Sequence, residues 1–293
     1  MNLPFLLPPP VGFSNNPQWN GKEFVVGDIS LNILEYSENF SGWSDDLTQL
    51  HEESAGDNHP IDIASRMDAI TQVRQVKPTA DTVIMEIGCS SGFLIKDLVK
   101  EFPDSVLIGA DVVKEPLYQL AKTLPGIPLI RFDLLKCPLP NSCVDVLIML
   151  NVLEHIEKDG EAIYKAFNLL KPGGKLIIEV PAGPTLFDSY DEQLQHFRRY
   201  TALELKEKLE FVGFKIKRMS HLGMLLFPAF AFVKYLNKFA PKGWTTSTVQ
   251  NNAKKTRKSL IVRQAMKLEI KFLSHLQLPF GIRVLITAEK LRS

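Results

Sequence analysis

Between about residues 82 and 222, short runs of β-branched and aliphatic residues alternate with longer segments whose apolar positions recur every three to four residues. This is the pattern of βαβ units built around a parallel sheet. The runs predict strands at Thr82–Ile87, Val106–Asp111, Pro128–Phe132, Val144–Leu150 and Lys175–Val180, each short and nearly all apolar, as strands covered by helices on both faces are. Helices are predicted over about 92–101, 114–124, 159–170 and 201–212. The last opens on Thr201 with Glu204 three residues on, a capping box, and closes at Gly213. Phe214–His221 and Arg283–Lys290 read as a sixth and a seventh strand.

The flanking sequence has a different texture. Residues 1–80 carry early Pro, Asn and Trp, a strand-like stretch near 23–36 and a helix over about 61–76 opened by Pro60, and are expected to form an N-terminal lid or appendage. The core then comprises 81–222 and 283–293, interrupted by an insertion over 223–282. The longest apolar stretch, Leu222–Leu236, holds Pro228 and Lys234 and falls short of the roughly 20 residues a spanning helix needs. No period of 20–50 residues repeats, which excludes solenoids and propellers.

Composition adds little until it is divided. The 293 residues are 45% hydrophobic and 23% charged, the range of an ordinary globular chain, with a net charge of +1. Yet from Lys234 to Lys271 ten basic residues stand against one acid, Glu269, which leaves the remainder at −8. A basic run beside a stretch rich in Phe, Leu and Met suits the anionic face of a membrane. The competing reading has Phe227, Phe230, Phe232 and Tyr235 roofing a substrate pocket or a dimer interface above solvated lysines. No nucleic-acid signature accompanies the run, and no nucleic-acid partner is expected. Cys89, Cys137 and Cys143 lack CxxC spacing, so neither a disulfide framework nor a cysteine zinc site is expected. With no export signal read at the start, the expected location is cytoplasmic, with peripheral contact at the inner membrane face.

The chemistry sits at the strand ends. The first predicted strand runs into Glu86-Ile-Gly-Cys-Ser-Ser-Gly92, a turn whose glycines let the backbone approach a ligand and whose following helix offers free N–H groups to an anion. Asp111 ends the second strand, where an acid suits a ribose diol. Asp133 follows the third, within reach of an exocyclic amine, and Asn151-Val-Leu-Glu-His155 follows the fourth. This ordered set, with Leu170-Lys-Pro-Gly-Gly-Lys175 before the fifth strand, resembles the class I S-adenosylmethionine-dependent methyltransferases, in particular the ubiquinone and menaquinone methyltransferase-like group. The resemblance implies a Rossmann-like α/β fold with a seven-stranded, mostly parallel sheet whose last strand is antiparallel. It implies S-adenosyl-L-methionine as cofactor, with its carboxylate over the Glu86–Gly92 turn, its ribose on Asp111 and its adenine near Asp133. The cofactor set is then Glu86, Gly88, Cys89, Ser90, Gly92, Asp111, Val112, Asp133, Leu134 and Asn151. One departure is Ser90-Ser91, where the family commonly has a third glycine. The segments Gly42–Leu47, His51–Glu53, His59–Asp62 with Ala64–Arg66, and His196–Thr201 are similar to those of bacterial methyltransferases of cell-surface glycan or lipid pathways.

Methyl transfer needs an acceptor aligned with the S–CH3 bond and, for a hydroxyl acceptor, a base. His196, in the polar stretch after the fifth strand, is the first candidate and His155 the second; His51 and His59 lie in the expected lid. No metal is expected. The sequence thus predicts O-methylation of a small or lipid-linked acceptor. A nicotinamide-dependent oxidoreductase and a non-catalytic cofactor-binding protein remain alternatives. The oxidoreductase requires GxGxxG, whereas Gly92 stands four residues after Gly88.

Overall fold

The computed structural model describes residues 3–37, 44, 48, 57–237, 256, 258–273 and 275–292. Near the start, β1 (Gln18–Trp19), β2 (Phe24–Val26) and β3 (Ile29–Leu31) form a small antiparallel sheet. The main sheet is built from β4 (Ile33–Glu35), β5 (Val83–Ile87), β6 (Val106–Asp111), β7 (Leu129–Arg131), β8 (Val144–Leu150), β9 (Leu170–Pro181), β10 (Phe214–Leu222) and β11 (Arg283–Lys290). Its order is β10-β11-β9-β8-β5-β6-β7-β4. Strands β4 to β9 run parallel, and β11 inserts antiparallel between β9 and β10.

The sheet has eight strands where seven were expected. The extra one, β4, comes from the N-terminal segment and pairs with β7 through Ile33, Leu34 and Glu35. It is too short to register as a separate strand in the pattern, but Ile33 and Leu34 are buried and the edge of β7 is open to them. Leu7, Trp19, Phe24 and Val26 join the same core cluster as the sheet.

Both faces are covered. The helices α1 (Pro60–Gln75), α2 (Phe93–Glu101) and α3 (Glu115–Thr123) supply Ile70, Val73, Leu94, Ile95, Leu98, Leu117 and Leu120 to one layer. On the other face α4 (Asp159–Leu169) and, beyond a short α5 (Ser189–Gln193), α6 (Ala202–Val212) bury Ala162, Ile163, Ala166, Leu205 and Leu209. Every residue of β5 and β6 is buried, which is why those strands read as unbroken apolar runs. Thr201 caps α6 by accepting from the Glu204 N–H at 3.1 Å, and Gly213 ends it at φ 112°.

Within the insertion, α7 (Phe227–Asn237) and α8 (Leu260–Leu268) are described, the latter continued by a π-turn at Glu269–Leu273. Glu269 is buried and accepts from the Gly223 and Leu225 N–H groups at 2.6 and 3.0 Å, tying the insertion to the end of β10. No helix among the described residues is long and apolar enough to cross a membrane.

Candidate active site

In a parallel sheet the carboxyl ends of the strands share one edge, and ligands enter where the chain changes direction along the sheet. Here that point is β5, which pairs with β6 on one side and β8 on the other. The turn leaving β5 is tightly shaped. Gly88 has φ 81°, and a Cβ there would stand 2.4 Å from Val152 Cγ2; Gly92 has φ 73°, with Leu120 Cδ1 2.5 Å from its virtual Cβ. Ser90, where a glycine was expected, takes the same left-handed backbone at φ 46°. For a residue with a side chain this conformation costs about 1 kcal/mol or more.

What holds Ser90 there is Asp111. Its carboxylate accepts from the Ser90 N–H at 2.7 Å, and from the Val112 and Val113 N–H groups at 2.7 and 3.2 Å. The acid ending β6 therefore faces the turn leaving β5. Glu86 is buried beneath both, and its Oε2 has no hydrogen-bond partner among the described residues. Burial first, and the charge of Asp111 second, push its carboxyl well above the usual carboxylate range.

The remaining residues of the set divide by orientation. Asp133 is half-buried and caps a 3-10 turn, accepting from the Leu135 N–H at 2.9 Å. Leu134 and Cys89 point their side chains into the core, so only their backbones can face a ligand. Cys89 is buried and its thiol pushed well above its ordinary value, first by desolvation and then by Asp111, which disfavours the reactive thiolate. Asn151 sits at φ 53° with its amide turned to β9, where Nδ2 donates to Glu179 Oε1 at 2.9 Å. That Glu179 oxygen also accepts from Arg283 Nη1 at 2.7 Å, and Arg283 is bound to Asp62 of α1.

The histidines assemble on the far side of β8. His155 ends the 3-10 turn after β8, and His196 follows α5; their rings meet edge to face at 4.7 Å. The two segments are pinned by the Phe197 N–H donating to the Glu154 carbonyl at 2.8 Å. His196 Nδ1 lies 2.9 Å from Asp191 Oδ1. Asp191 is fully buried and also receives Arg199 Nε at 2.8 and 2.9 Å and Lys234 Nζ at 3.0 Å. Burial alone would raise its carboxyl, but the hydrogen bonds from His196 and Arg199, with the charges of Arg199 and Lys234, outweigh it and hold Asp191 well below the usual range. Desolvation lowers the pKa of His196 in spite of Asp191. Of the lid histidines, His59 precedes α1 beside Asp62, while His51 and Trp43 lie outside the described residues.

Residues 85–178 match the family described as the methyltransferase domain. The chain carries a class I S-adenosylmethionine-dependent methyltransferase domain. Its cofactor is S-adenosylmethionine, and the nicotinamide alternative falls with that assignment. A probable S-adenosylmethionine-dependent methyltransferase of Mycolicibacterium smegmatis is 29% identical over 139 residues, 46% of this chain and 52% of that protein. The malonyl-[acyl-carrier protein] O-methyltransferase of Halalkalibacterium halodurans is 25% identical over 114 residues, covering 37% and 42%. The chain thus spans about half the length of these curated relatives. Among solved structures, phospholethanolamine N-methyltransferase 2 of Haemonchus contortus, in complex with phosphomonomethylethanolamine and S-adenosylhomocysteine, shares the fold at a TM-score of 0.53 and 16% identity, over 83% of this chain and 57% of that one. These relatives do not single out the ubiquinone and menaquinone group.

The residues at the ends of β5 and β6 were legible as motifs, and His196 as a candidate; Asp191 and Lys234 as its neighbours were not. Asp188 and Asp191 form a capping box on α5, each accepting from the other's turn. The Asp-x-x-Asp spacing was the available signal. Lys234, counted with the solvent-facing basic run, is in fact buried, its Nζ 2.6 Å from Asp188 Oδ1.

Proposed function

We propose that the protein transfers a methyl group from S-adenosylmethionine to a hydroxyl of a small or lipid-linked acceptor. The observation that carries the reading is the partnerless buried Oε2 of Glu86 beneath the β5 turn and Asp111. A carboxylate oxygen buried without a partner is costly, and the α-ammonium of the cofactor is the group that would restore the charge of Glu86 and the missing hydrogen bond. Gly88, Ser90 and Gly92 would lay backbone against the amino-acid tail, Asp111 would accept from the ribose, and Val112, Asp133, Leu134 and Asn151 would border the base and the sulfur.

S-adenosylmethionine supplies, when bound, a methyl group on a positive sulfur. The chain's part is to align the acceptor, exclude water and manage one proton. His196 is fit for the last of these. With Nδ1–H donated to Asp191 Oδ1, its Nε2 lone pair is directed away from the buried carboxylate and can take the hydroxyl proton as the O–CH3 bond forms and the S–CH3 bond breaks. His155 lies against it and would shape the same wall.

Titration calorimetry tests the first half: S-adenosylhomocysteine should bind once per chain, and Asp111→Ala should weaken it at least tenfold, about 1.4 kcal/mol. A chain that ignores S-adenosylhomocysteine overturns the reading. Label transfer from methyl-tritiated cofactor into extracted small molecules and lipids tests the second half; base-stable label on nitrogen would overturn the oxygen assignment.

The lipid-linked alternative draws support from the insertion. Phe232 and Tyr235 of α7, Leu260 and Ile261 of α8 and Phe272 are exposed, next to exposed Arg263, Lys267 and Lys271. With Glu269 buried, this surface carries basic and apolar groups together, suited to an anionic bilayer. Flotation with phosphatidylglycerol vesicles should carry the protein upward; equal recovery with neutral vesicles would remove this part of the proposal.

A further inference from the structure

One group near the histidines has no use in that scheme. Glu154 is 1% exposed, and its Oε2 has no hydrogen-bond partner among the described residues. The nearby cations are engaged elsewhere: Arg199 and Lys234 by Asp191, and Arg283 by Glu179 and Asp62. A buried carboxyl oxygen left open among fixed charges calls for a group not yet placed.

One carboxylate oxygen of Glu154 and one nitrogen each of His155 and His196 all lie within 4.8 Å of one another. We propose that Glu154, His155 and His196 bind a single divalent transition-metal ion of the zinc type. Two imidazoles and a carboxylate are the donor set such ions favour. Donors on a tetrahedral ion with bonds of ~2.1 Å stand about 3.4 Å apart, so closing the site takes rotamer adjustments of about an ångström. The backbone needs no rearrangement, because the Phe197 N–H to Glu154 carbonyl bond already fixes one ligand segment against the other. Asp191 completes the arrangement. It accepts from the Nδ1 side of His196, the carboxylate–histidine pairing that turns the opposite nitrogen toward a metal and strengthens it as a donor.

Three protein donors leave one position open. An ion held there takes the Nε2 lone pair that the acceptor's proton would otherwise use, and offers instead a site at which an acceptor oxygen is held and acidified. Metal binding is read without the cofactor, so its failure leaves the methyl-transfer reading standing, whereas its success replaces His196 as the base within that reading.

The test uses the full chain, stripped with chelator and titrated with Co2+ alone, followed by visible absorption and calorimetry, with no cofactor present. The expected result is one ion per chain with a ligand-field spectrum, and at least tenfold weaker binding in both His155→Asn and His196→Asn, each checked for folding by its thermal melt. Should either variant fail to fold, Glu154→Gln takes its place. Absence of saturable binding overturns the proposal, and so does binding that survives within tenfold in any of the folded variants.

Discussion

The two sides of the candidate site are built by opposite means. On the β5–β6 side, the groups proposed to face the cofactor are backbone and near neighbours in sequence: Gly88, Ser90 and Gly92 in one turn, fixed by Asp111 at the end of the adjoining strand. On the β8–β9 side, the groups are charged side chains drawn from three separated segments, with Asp191 at their centre, Arg199 eight residues on and Lys234 arriving from the insertion 43 residues away. The first side is stabilised by allowing strained backbone in a compact turn. The second is held by a buried anion shared among three donors. Fixed geometry of the first kind suits a cofactor that is always the same; assembly from inserted elements suits an acceptor that varies between proteins of one fold.

The largest expected effect tests the buried anion. Asp191→Asn removes the charge that Arg199, Lys234 and His196 share. Two cations are then left buried with an amide between them, and stripping one partner from such a cluster typically costs 3–5 kcal/mol. Chemical denaturation should register a loss of about 4 kcal/mol; a loss below 1 kcal/mol would mean that the β8–β9 side does not depend on this charge.

How much of this was legible follows the same division. The strands Val106–Asp111, Val144–Leu150 and Arg283–Lys290 were readable to the residue, because each carries a buried, largely aliphatic centre bounded by polar residues or turns. Strand β4 fell inside the strand-like stretch near 23–36, but its pairing with β7 in the main sheet was not legible, since three residues at an edge carry no signal of their partner. The glycine turn and Asp111 were legible because their chemistry is local. Lys234 was misjudged for a physical reason: a lysine on an apolar helix reads as solvated, and its burial depends on two aspartates more than 40 residues earlier, which periodicity cannot see. Glu154 was quoted as part of a motif, yet that its Oε2 lacks a partner among the described residues is visible only in three dimensions.

The β5–β6 side answers to a steric probe. Gly88→Ala places a Cβ 2.4 Å from Val152 Cγ2 at φ 81°. The left-handed backbone costs an alanine about 1–2 kcal/mol and the overlap a similar amount, so stability should fall by about 3 kcal/mol and S-adenosylhomocysteine affinity should fall with it. Unchanged affinity would show that the turn does not contact the cofactor. Lys234→Met comes next. It leaves Asp191 with Arg199 and His196, and Asp188 with the Tyr190 N–H, so only charged hydrogen bonds are lost, about 2 kcal/mol. Hydrogen exchange in α7 should rise while the β5 turn keeps its protection; equal change on both sides would erase the contrast between them.

The smallest effect sits at the rim, where β4 docks. Glu35 accepts from Tyr118 Oη at 2.8 Å and Arg131 Nη1 at 2.7 Å. Burial would raise its carboxyl, but those two hydrogen bonds and the charges of Lys114 and Arg131 prevail and lower it below the ordinary value of 4.5. A carboxyl that is more acidic folded than unfolded adds stability above its unfolded value, and that increment disappears as pH falls through the folded value. The loss should therefore begin near pH 4.5 and be complete below the lowered value. Because the pair is partly open to solvent, the increment is at most about 1 kcal/mol. Denaturation midpoints of wild type and Glu35→Gln should differ at neutral pH and converge in acid; parallel curves across that window would show that β4 is held by Ile33 and Leu34 alone, as apolar packing without an electrostatic contribution.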